Sequence, residues 1–173
     1  MLSTIVAPEL NPLLSGADHV DVKITEADVT LREFVSGVLG WQPGWMKMLF
    51  RARVVFARLL RLRDPEISAG PRLRPEEISF SPGGKVWFFT VVRAAEDRYI
   101  VLEAADTHLT GYLAVVAEPL AHGRTRFHNI TIVKYHRWTG PLYFNVIRPF
   151  HHLVVRSMVN AGARGQRTGR SAC

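Results

Sequence analysis

Cysteine is almost absent from this sequence, and several other signatures of well-known protein classes are missing as well. The one cysteine, Cys173, is the last of 173 residues, which excludes a disulfide within the chain and a cysteine-based metal site. No apolar run approaches the roughly 20 residues that a membrane-spanning helix needs. A GxGxxG fingerprint, a glycine-rich phosphate loop, an HExxH pair and a nucleophile elbow are also missing. A nucleotide enzyme and a nucleophilic hydrolase are therefore disfavoured.

The first residues do not resemble a signal peptide. They lack a basic stretch, and their apolar run is interrupted by Pro8 and Glu9. We therefore expect an N-terminal arm over residues 1–18. Together with the scarcity of cysteine, this favours a cytoplasmic location.

What the sequence has in excess is positive charge, with 22 Lys and Arg against 15 Asp and Glu and a net charge of +7. Much of this charge is confined to two segments: residues 45–63, a predicted helix, and residues 164–173, a Gly- and Arg-rich tail that we expect to be disordered. A basic tail alone is typical of a solubilising segment, so we expect no nucleic-acid partner.

The pattern of the first half predicts one strand and two helices. Residues 19–24, HVDVKI, alternate as in a strand. Thr25 or Asp28, together with Thr30, can supply capping side chains for a helix from about residue 30 to 39 that is ended by Gly40. The second helix spans residues 45–63 and has a broad apolar side, which includes Trp45 and Met48 and which we expect to pack on the core. Residues 64–76 are proline-rich and predict a mobile loop.

The second half predicts antiparallel strands followed by one long helix. Segments ISF, KVWFFTVVR, RYIVLEA, HLTGYLAVVAEPL and RTRFHNITIVKYH are separated by short turn-forming segments. The last helix is expected from about Thr139 to Ala163. The order predicts an α+β fold of the helix-grip type, in which a curved antiparallel sheet of about six strands wraps around the C-terminal helix. We expect residues 19–163 to form this single domain.

Three short motifs carry a resemblance to a known family. They are DTHL at residues 106–109, YHRWTGPLY at 135–143 and PFHHLVVR at 149–156. They resemble the domain-of-unknown-function family 2867, within the helix-grip superfamily that includes START domains and polyketide cyclases. Its members have Asp-x-His-Leu, then His-Asn-x-x-Gly-Arg-x-Tyr, then Pro-Phe-His. This chain departs from the pattern at Arg137 and Pro141.

The resemblance implies the helix-grip fold and no established activity. Relatives of the domain occur attached to domains that resemble short-chain dehydrogenases. A protein partner of the oxidoreductase type is therefore implied by family analogy alone.

Titratable residues of the same motifs are the candidate catalytic groups: Asp106, His108, His136 and Tyr143. Histidine beside a carboxylate can transfer protons, and two or three histidines could also bind a metal ion. The alternative is that Asp106 caps a turn and the histidines bond backbone groups at the rim of the sheet. Because no metal-ligand spacing is present, we expect neither a metal nor a cofactor.

A second set of residues could line a ligand pocket between the sheet and the last helix. On the strands, Asn129, Thr131 and Tyr135 share one face. On the helix, the spacing of Tyr143, Ile147 and Phe150 indicates an inward stripe. Tyr112 and His151 complete the set; His152 is expected to face solvent. Pro149 removes a backbone donor, so the helix should kink and either wrap around the sheet or expose a carbonyl to a ligand.

Three functions are consistent with this pattern. The first is a domain that holds a small apolar or amphipathic molecule in the pocket. The second is an enzyme of the cyclase or isomerase type that uses Asp, His and Tyr side chains in the same pocket. The third is a peripheral protein that contacts a membrane or a protein partner through the basic helix 45–63.

Overall fold

A computed structural model describes residues 10–41, 43–45, 48, 51, 73–106, 109–137 and 139–164. The elements follow in the order α1 (Asn11–Leu14), β1 (His19–Ala27), α2 (Leu31–Gly40), β2 (Lys85–Val86), β3 (Phe89–Ala95), β4 (Tyr99–Ala105), β5 (Leu109–Pro119), β6 (Thr125–Tyr135) and α3 (Thr139–Arg164). Single 3₁₀ turns lie at Pro75–Glu77 and Ala121–Gly123.

The six strands form one antiparallel sheet with the order β1-β6-β5-β4-β3-β2. The first strand therefore lies beside the last one, and α3 packs against β1 and α2. This confirms the predicted α+β architecture, with a curved sheet and a C-terminal helix consistent with a helix-grip fold. Within the described residues, no helix is both long and apolar enough to cross a membrane.

The ends of α2 agree with the prediction from its capping residues. Thr30 accepts a hydrogen bond from the Glu33 backbone N–H, and the Glu33 carboxylate accepts one from the Thr30 backbone N–H. This reciprocal capping box satisfies two donors that a helix start otherwise leaves open. The helix then ends at Gly40, as predicted.

Two of the predicted strands are wrong. ISF at residues 78–80 is not a strand, and KVWFFTVVR is divided into β2 and β3 by a turn at residues 87–88. Trp87 has a φ of 57°, in the left-handed region. The rings of Trp87 and Phe88 pack edge to face at 4.3 Å. A run of strand-forming aromatic residues hides a turn of this kind, because its side chains have strand propensity.

Most of the predicted helix 45–63, and residues 64–72 of the predicted loop, lie outside the described residues. Two residues of its predicted core-facing side are described, Trp45 and Met48, and their exposed fractions are 38% and 70%. The prediction that this side packs on the core is therefore wrong at these two positions. Periodicity shows which residues share a face of a helix but not whether another element covers that face.

Each face of the sheet carries its own apolar core. The face toward α2 and α3 (the inner face) buries Phe34 of α2 against Phe127 of β6, whose rings stack at a distance of 4.0 Å. The outer face packs Ile130 and Ile132 of β6 against Leu10, which is 1% exposed and directly precedes α1. The region between the inner face and α3, called the interlayer below, contains the candidate site.

A contact between two glycines sets the position of α3 on α2. A Cβ atom on Gly37 would lie 2.9 Å from the Cα of Gly162, and a Cβ on Gly162 would lie 2.6 Å from Cγ2 of Val38. Neither distance is compatible with a real side chain, so the two backbones approach as closely as they do only because both residues are glycine. This contact determines which side of α3 faces the sheet.

Candidate functional site

The motif residues of the predicted acid-base group lie at the rim of the sheet. The Asp106 N–H donates to the Leu109 carbonyl across the β4–β5 turn. His136 is exposed just beyond β6, and its Nε2 lies 2.7 Å from Oγ1 of Thr110. His108 lies outside the described residues, as does the side chain of Tyr143. The described members therefore have the hydrogen-bonding geometry of turn and rim residues.

The strand register decides which predicted pocket residues face α3. Asn129 of β6 lies opposite Lys23 of β1, and Thr131 lies opposite Asp21. These residues are on the inner face, as is Tyr135, whose ring is 6.0 Å from that of Phe144 in α3. The predicted shared face of Asn129, Thr131 and Tyr135 is therefore present, and it is the face that α3 covers.

Tyr112 is on the other face, which contradicts its predicted place in the same pocket. It lies opposite Ile132 of β6 and Glu103 of β4, and it packs with the outer core. Burial and a hydrogen bond to Glu103 raise the pKa of Tyr112. The reason is the two-residue period of a strand: β5 is apolar on both faces, so its sequence does not show which residues point inward.

On α3, the inward side is rotated from the predicted stripe. Phe150 is 51% exposed, so the prediction that it points inward is wrong, whereas Phe144 and Val159 are each 4% exposed. His151 is half-buried, and its Nε2 atom is buried. His152, which the sequence predicts to face solvent, is also half-buried, and its Nδ1 lies 3.5 Å from the Asp21 carboxylate, so that prediction is wrong: this part of α3 lies over the polar face of β1. The Gly37–Gly162 contact explains the rotation, because it fixes the orientation of the helix about its axis. The side chain of Ile147 lies outside the described residues.

Pro149 leaves α3 continuous from Thr139 to Arg164. Pro149 is exposed, and so is Asn145, whose carbonyl loses its helical partner. The freed carbonyl is therefore on the solvent side of α3 and does not point toward the sheet.

The interlayer contains a group of polar residues that motif-based reasoning missed. We call it the polar cluster, and it consists of His19, Asp21, Lys23, Asn129, His151 and His152. The first three alternate along β1 and so lie on one face, and the alternation in HVDVKI, which predicts a strand, also predicts this shared face. Sequence alone does not reveal that α3 would cover this face.

Ring contacts and an ion pair connect β1 to α3 within the polar cluster. The His19 ring is 4.9 Å from the Phe144 ring, which is in turn 6.0 Å from the ring of His151. The Lys23 ammonium donates to both carboxylate oxygens of Asp21, at 2.7 and 2.8 Å. His152 Nδ1 lies 3.5 Å from Oδ2 of the same carboxylate.

Burial and neighbouring charge shift the titration of this group. Desolvation lowers the pKa of His151 to about 4, with a smaller contribution from the charge of His152. Desolvation also lowers the pKa of His19, with a smaller contribution from the charge of Arg148. Burial acts to raise the pKa of Asp21, but the hydrogen bond and charge of Lys23 lower it overall. At neutral pH the cluster therefore contains two uncharged imidazoles beside a paired carboxylate and ammonium.

Within the part of the chain that the structure describes, several buried polar atoms of the interlayer have no hydrogen-bond partner. They are Nε2 of His19, Nε2 of His151, and both polar atoms of the Asn129 side chain, which is 1% exposed. On the outer face, Nδ1 of His128 is also without a partner, but its Nε2 lies 2.9 Å from Glu118. An unpartnered buried group costs about 1–3 kcal/mol, so such atoms gathered in one region require an explanation.

The described residues do not provide an obvious metal site. Among them, no three or more His, Cys, Asp or Glu side chains are grouped so that they could hold a metal ion. Lys23 occupies the Asp21 carboxylate, which would otherwise be the natural anionic ligand beside these histidines.

Architecture and site together define a class of protein: an α+β domain in which a long C-terminal helix covers a curved antiparallel sheet and encloses polar groups. A sequence comparison identifies the family within this class. A family model described as protein of unknown function (DUF2867) matches residues 13–158, and the chain belongs to that family. No curated protein matches the chain.

Proposed function

We propose that this protein binds a small amphipathic molecule in the interlayer, with the polar end of the molecule at His19, Asn129 and His151. The observation that carries the proposal is the group of unpartnered buried atoms on these three side chains. A bound molecule with hydrogen-bonding groups would supply the missing partners. The apolar inner core, including Leu113 and Val155, would contact the rest of the molecule.

Binding requires α3 to move relative to β1. The unpartnered atoms are all buried, so a ligand cannot reach them while the two elements are in contact. The N-terminal half of α3 can move most easily, because Val146, Phe150 and Leu153 on its outer side are 45%, 51% and 54% exposed. The C-terminal half is fixed to α2 by the glycine contact.

Holding a ligand agrees better with the electrostatics than acid-base catalysis does. A general base works best when its pKa is near the operating pH. The pKa of His151 is about 4, so at neutral pH this imidazole is suited to hydrogen bonding but is a weak base. The enzyme alternative therefore depends on the rim group of Asp106 and His136, or on His108 and Tyr143.

Copurification tests the proposal. The full-length protein should carry a small molecule that native mass spectrometry detects and that solvent extraction releases. Asn129→Leu and Thr131→Val should each reduce its occupancy, because they remove polar groups of nearly unchanged size from the inner face. Ser36→Ala is the matched control, since its hydroxyl is equally buried but donates to the Glu33 carbonyl within α2. Equal occupancy in all of these variants would contradict the proposal.

A membrane or protein partner is the second candidate function. The supporting observation is the exposure of two apolar residues, Trp45 and Met48, at the start of the basic segment 45–63. Such a surface should bind vesicles containing anionic lipid more strongly than neutral vesicles. A sedimentation assay that finds equal binding to both would rule out membrane attraction by charge.

A further inference from the structure

The chemical class of ligand that the interlayer can bind depends on the polar groups that it offers. The unpartnered groups are a primary amide and two imidazoles. An amide offers both donors and an acceptor, and a neutral imidazole offers one of each. An amide and a neutral imidazole carry no net charge. Their natural hydrogen-bond partners are therefore hydroxyl, carbonyl and carboxamide groups.

The full charges of the polar cluster are already matched. Lys23 donates to both oxygens of Asp21, so neither side chain needs a charged ligand. An anionic ligand would have to break this pair or enter without a counter-charge, and both options are unfavourable in a buried site. The same argument applies to a cationic ligand at Asp21.

Among the described residues, Arg148 is a nearby cation that could attract an anion instead. It influences the titration of His19, but it is exposed on the solvent side of α3. A carboxylate that pairs with Arg148 would therefore stay at the surface. Its charged group would not reach Asn129, which is 1% exposed.

We propose that the interlayer selects ligands whose polar end is uncharged, such as alcohols, ketones or primary amides with an apolar body, and excludes carboxylates, phosphates and ammonium compounds. This inference rests on the proposed function, because it concerns the same site. It adds that the hydrogen-bonding groups of Asn129, His19 and His151 recognise the ligand and that the Asp21–Lys23 pair does not.

Four probes of equal chain length test the selection: octanol, octanamide, octanoate and octylamine. Each is titrated at neutral pH into the full-length protein labelled with ¹⁵N and ¹³C. The Asn129 side-chain amide signals and the ring signals of His19 and His151 are monitored by NMR. Octanol and octanamide should shift these signals and bind at least about tenfold more tightly than the two charged probes, a difference of about 1.4 kcal/mol.

Variants connect the selection to the named residues. Asn129→Leu should reduce octanol affinity about tenfold and leave the weak octanoate binding unchanged. His151→Leu serves as an independent second variant in the same region, and Ser36→Ala should have no effect. Arg148→Gln should weaken octanoate binding only, since that probe is expected to stay at the surface.

The outcomes separate this inference from the proposed function. If the four probes shift the Asn129 and histidine signals with equal affinity, the site binds ligands but the selection for uncharged ends is wrong. Tighter binding of octanoate, with shifts at Asn129, would overturn the selection in the same way. If no probe shifts any of these signals, both the selection and the proposed function fail.

Discussion

The two halves of α3 contact the rest of the molecule through surfaces of opposite character. The C-terminal half packs tightly on α2, with Gly162 against Gly37 and with Val159 4% exposed. The N-terminal half faces polar β1 residues, with Phe144 buried and His151 half-buried, and the unpartnered interlayer atoms of the described residues lie there. We call the C-terminal half the stabilising end of α3. We call the N-terminal half its costly end, because buried polar atoms without partners lower the stability of the folded protein there. Costly polar burial of this kind is typical of functional sites, where proteins sacrifice stability for activity.

Enlarging Gly162 should have the largest effect and would break the stabilising end. In Gly162→Leu, the new side chain collides with Val38 and with the Phe34 carbonyl, from which even a Cβ atom would be only 2.9 Å away. We expect a loss of about 3 kcal/mol or more in the free energy of unfolding, measured with urea. Asn160→Leu, an exposed change on the same turn, is the control and should alter stability by less than about 0.5 kcal/mol. A tolerated Gly162→Leu would mean that the glycine contact does not position α3.

Lowering the pH should selectively weaken the costly end. The folded protein holds the pKa of His151 at about 4, against an ordinary value of 6.5. As the pH falls below 6.5, this imidazole binds a proton in the unfolded chain but not yet in the folded protein. The free energy of unfolding therefore falls until the pH reaches about 4. The full loss is about 3 kcal/mol, at about 1.4 kcal/mol per pKa unit. The depressed pKa of His19 adds a loss of the same sign.

Urea unfolding at about pH 7.5 and about pH 5 should show about 2 kcal/mol of this loss, because pH 5 lies about 1.5 pKa units below the ordinary value. His151→Leu should reduce the difference between the two conditions, because it removes the imidazole that resists protonation. His122→Asn, an exposed change in a turn where asparagine tolerates the left-handed backbone, should leave the difference unchanged. A pH dependence that is equal in all three proteins would show that the burial of His151 does not control it.

Removing the unpartnered amide should have a smaller effect, in the opposite direction. Asn129→Leu replaces two unsatisfied polar atoms by apolar ones, so the free energy of unfolding should rise by about 1–3 kcal/mol while ligand occupancy falls. Thermal and urea unfolding, together with native mass spectrometry, measure the two changes. A destabilised Asn129→Leu would show that the amide has a structural partner, and the comparison between the two ends of α3 would then fail.

The smallest effect is expected on the outer side of α3. Phe150→Ser should change the free energy of unfolding by less than about 0.5 kcal/mol, because the ring is already 51% exposed. Truncating a phenylalanine that faces the core would instead lower the free energy of unfolding by about 3–5 kcal/mol. Urea unfolding therefore distinguishes the observed rotation of α3 from the rotation that periodicity alone predicts.

The positions of most helices and strands can be predicted from the sequence. The capping residue Thr30, the alternation from His19 and the short turns between β3 and β6 were enough to locate α2 and most of the strands. The turn at Trp87 was missed because aromatic side chains have strand propensity even where the backbone reverses. Such local signals are strong where capping or turn chemistry is specific and weak where both faces of a segment are apolar.

The candidate site was predicted only in part. The sequence predicts that Asn129, Thr131 and Tyr135 share one face, and the structure has all three on the inner face. Tyr112 was placed on the wrong face, and the β1 members of the polar cluster were not recognised as site residues. These errors share one cause: a strand sequence shows which residues lie on the same side, whereas the burial of that side depends on a distant element.

The sequence by itself determined the order of elements, the family motifs and the residues that share each face, because these depend on local propensity and on the periods of strands and helices. Tertiary structure decided which face is inner and how α3 is rotated. The β1–β6 pairing joins residues about a hundred positions apart, and the Gly37–Gly162 contact turns His151, rather than Phe150, toward the first strand. Contacts between distant segments created the polar cluster, which no single segment of the sequence contains.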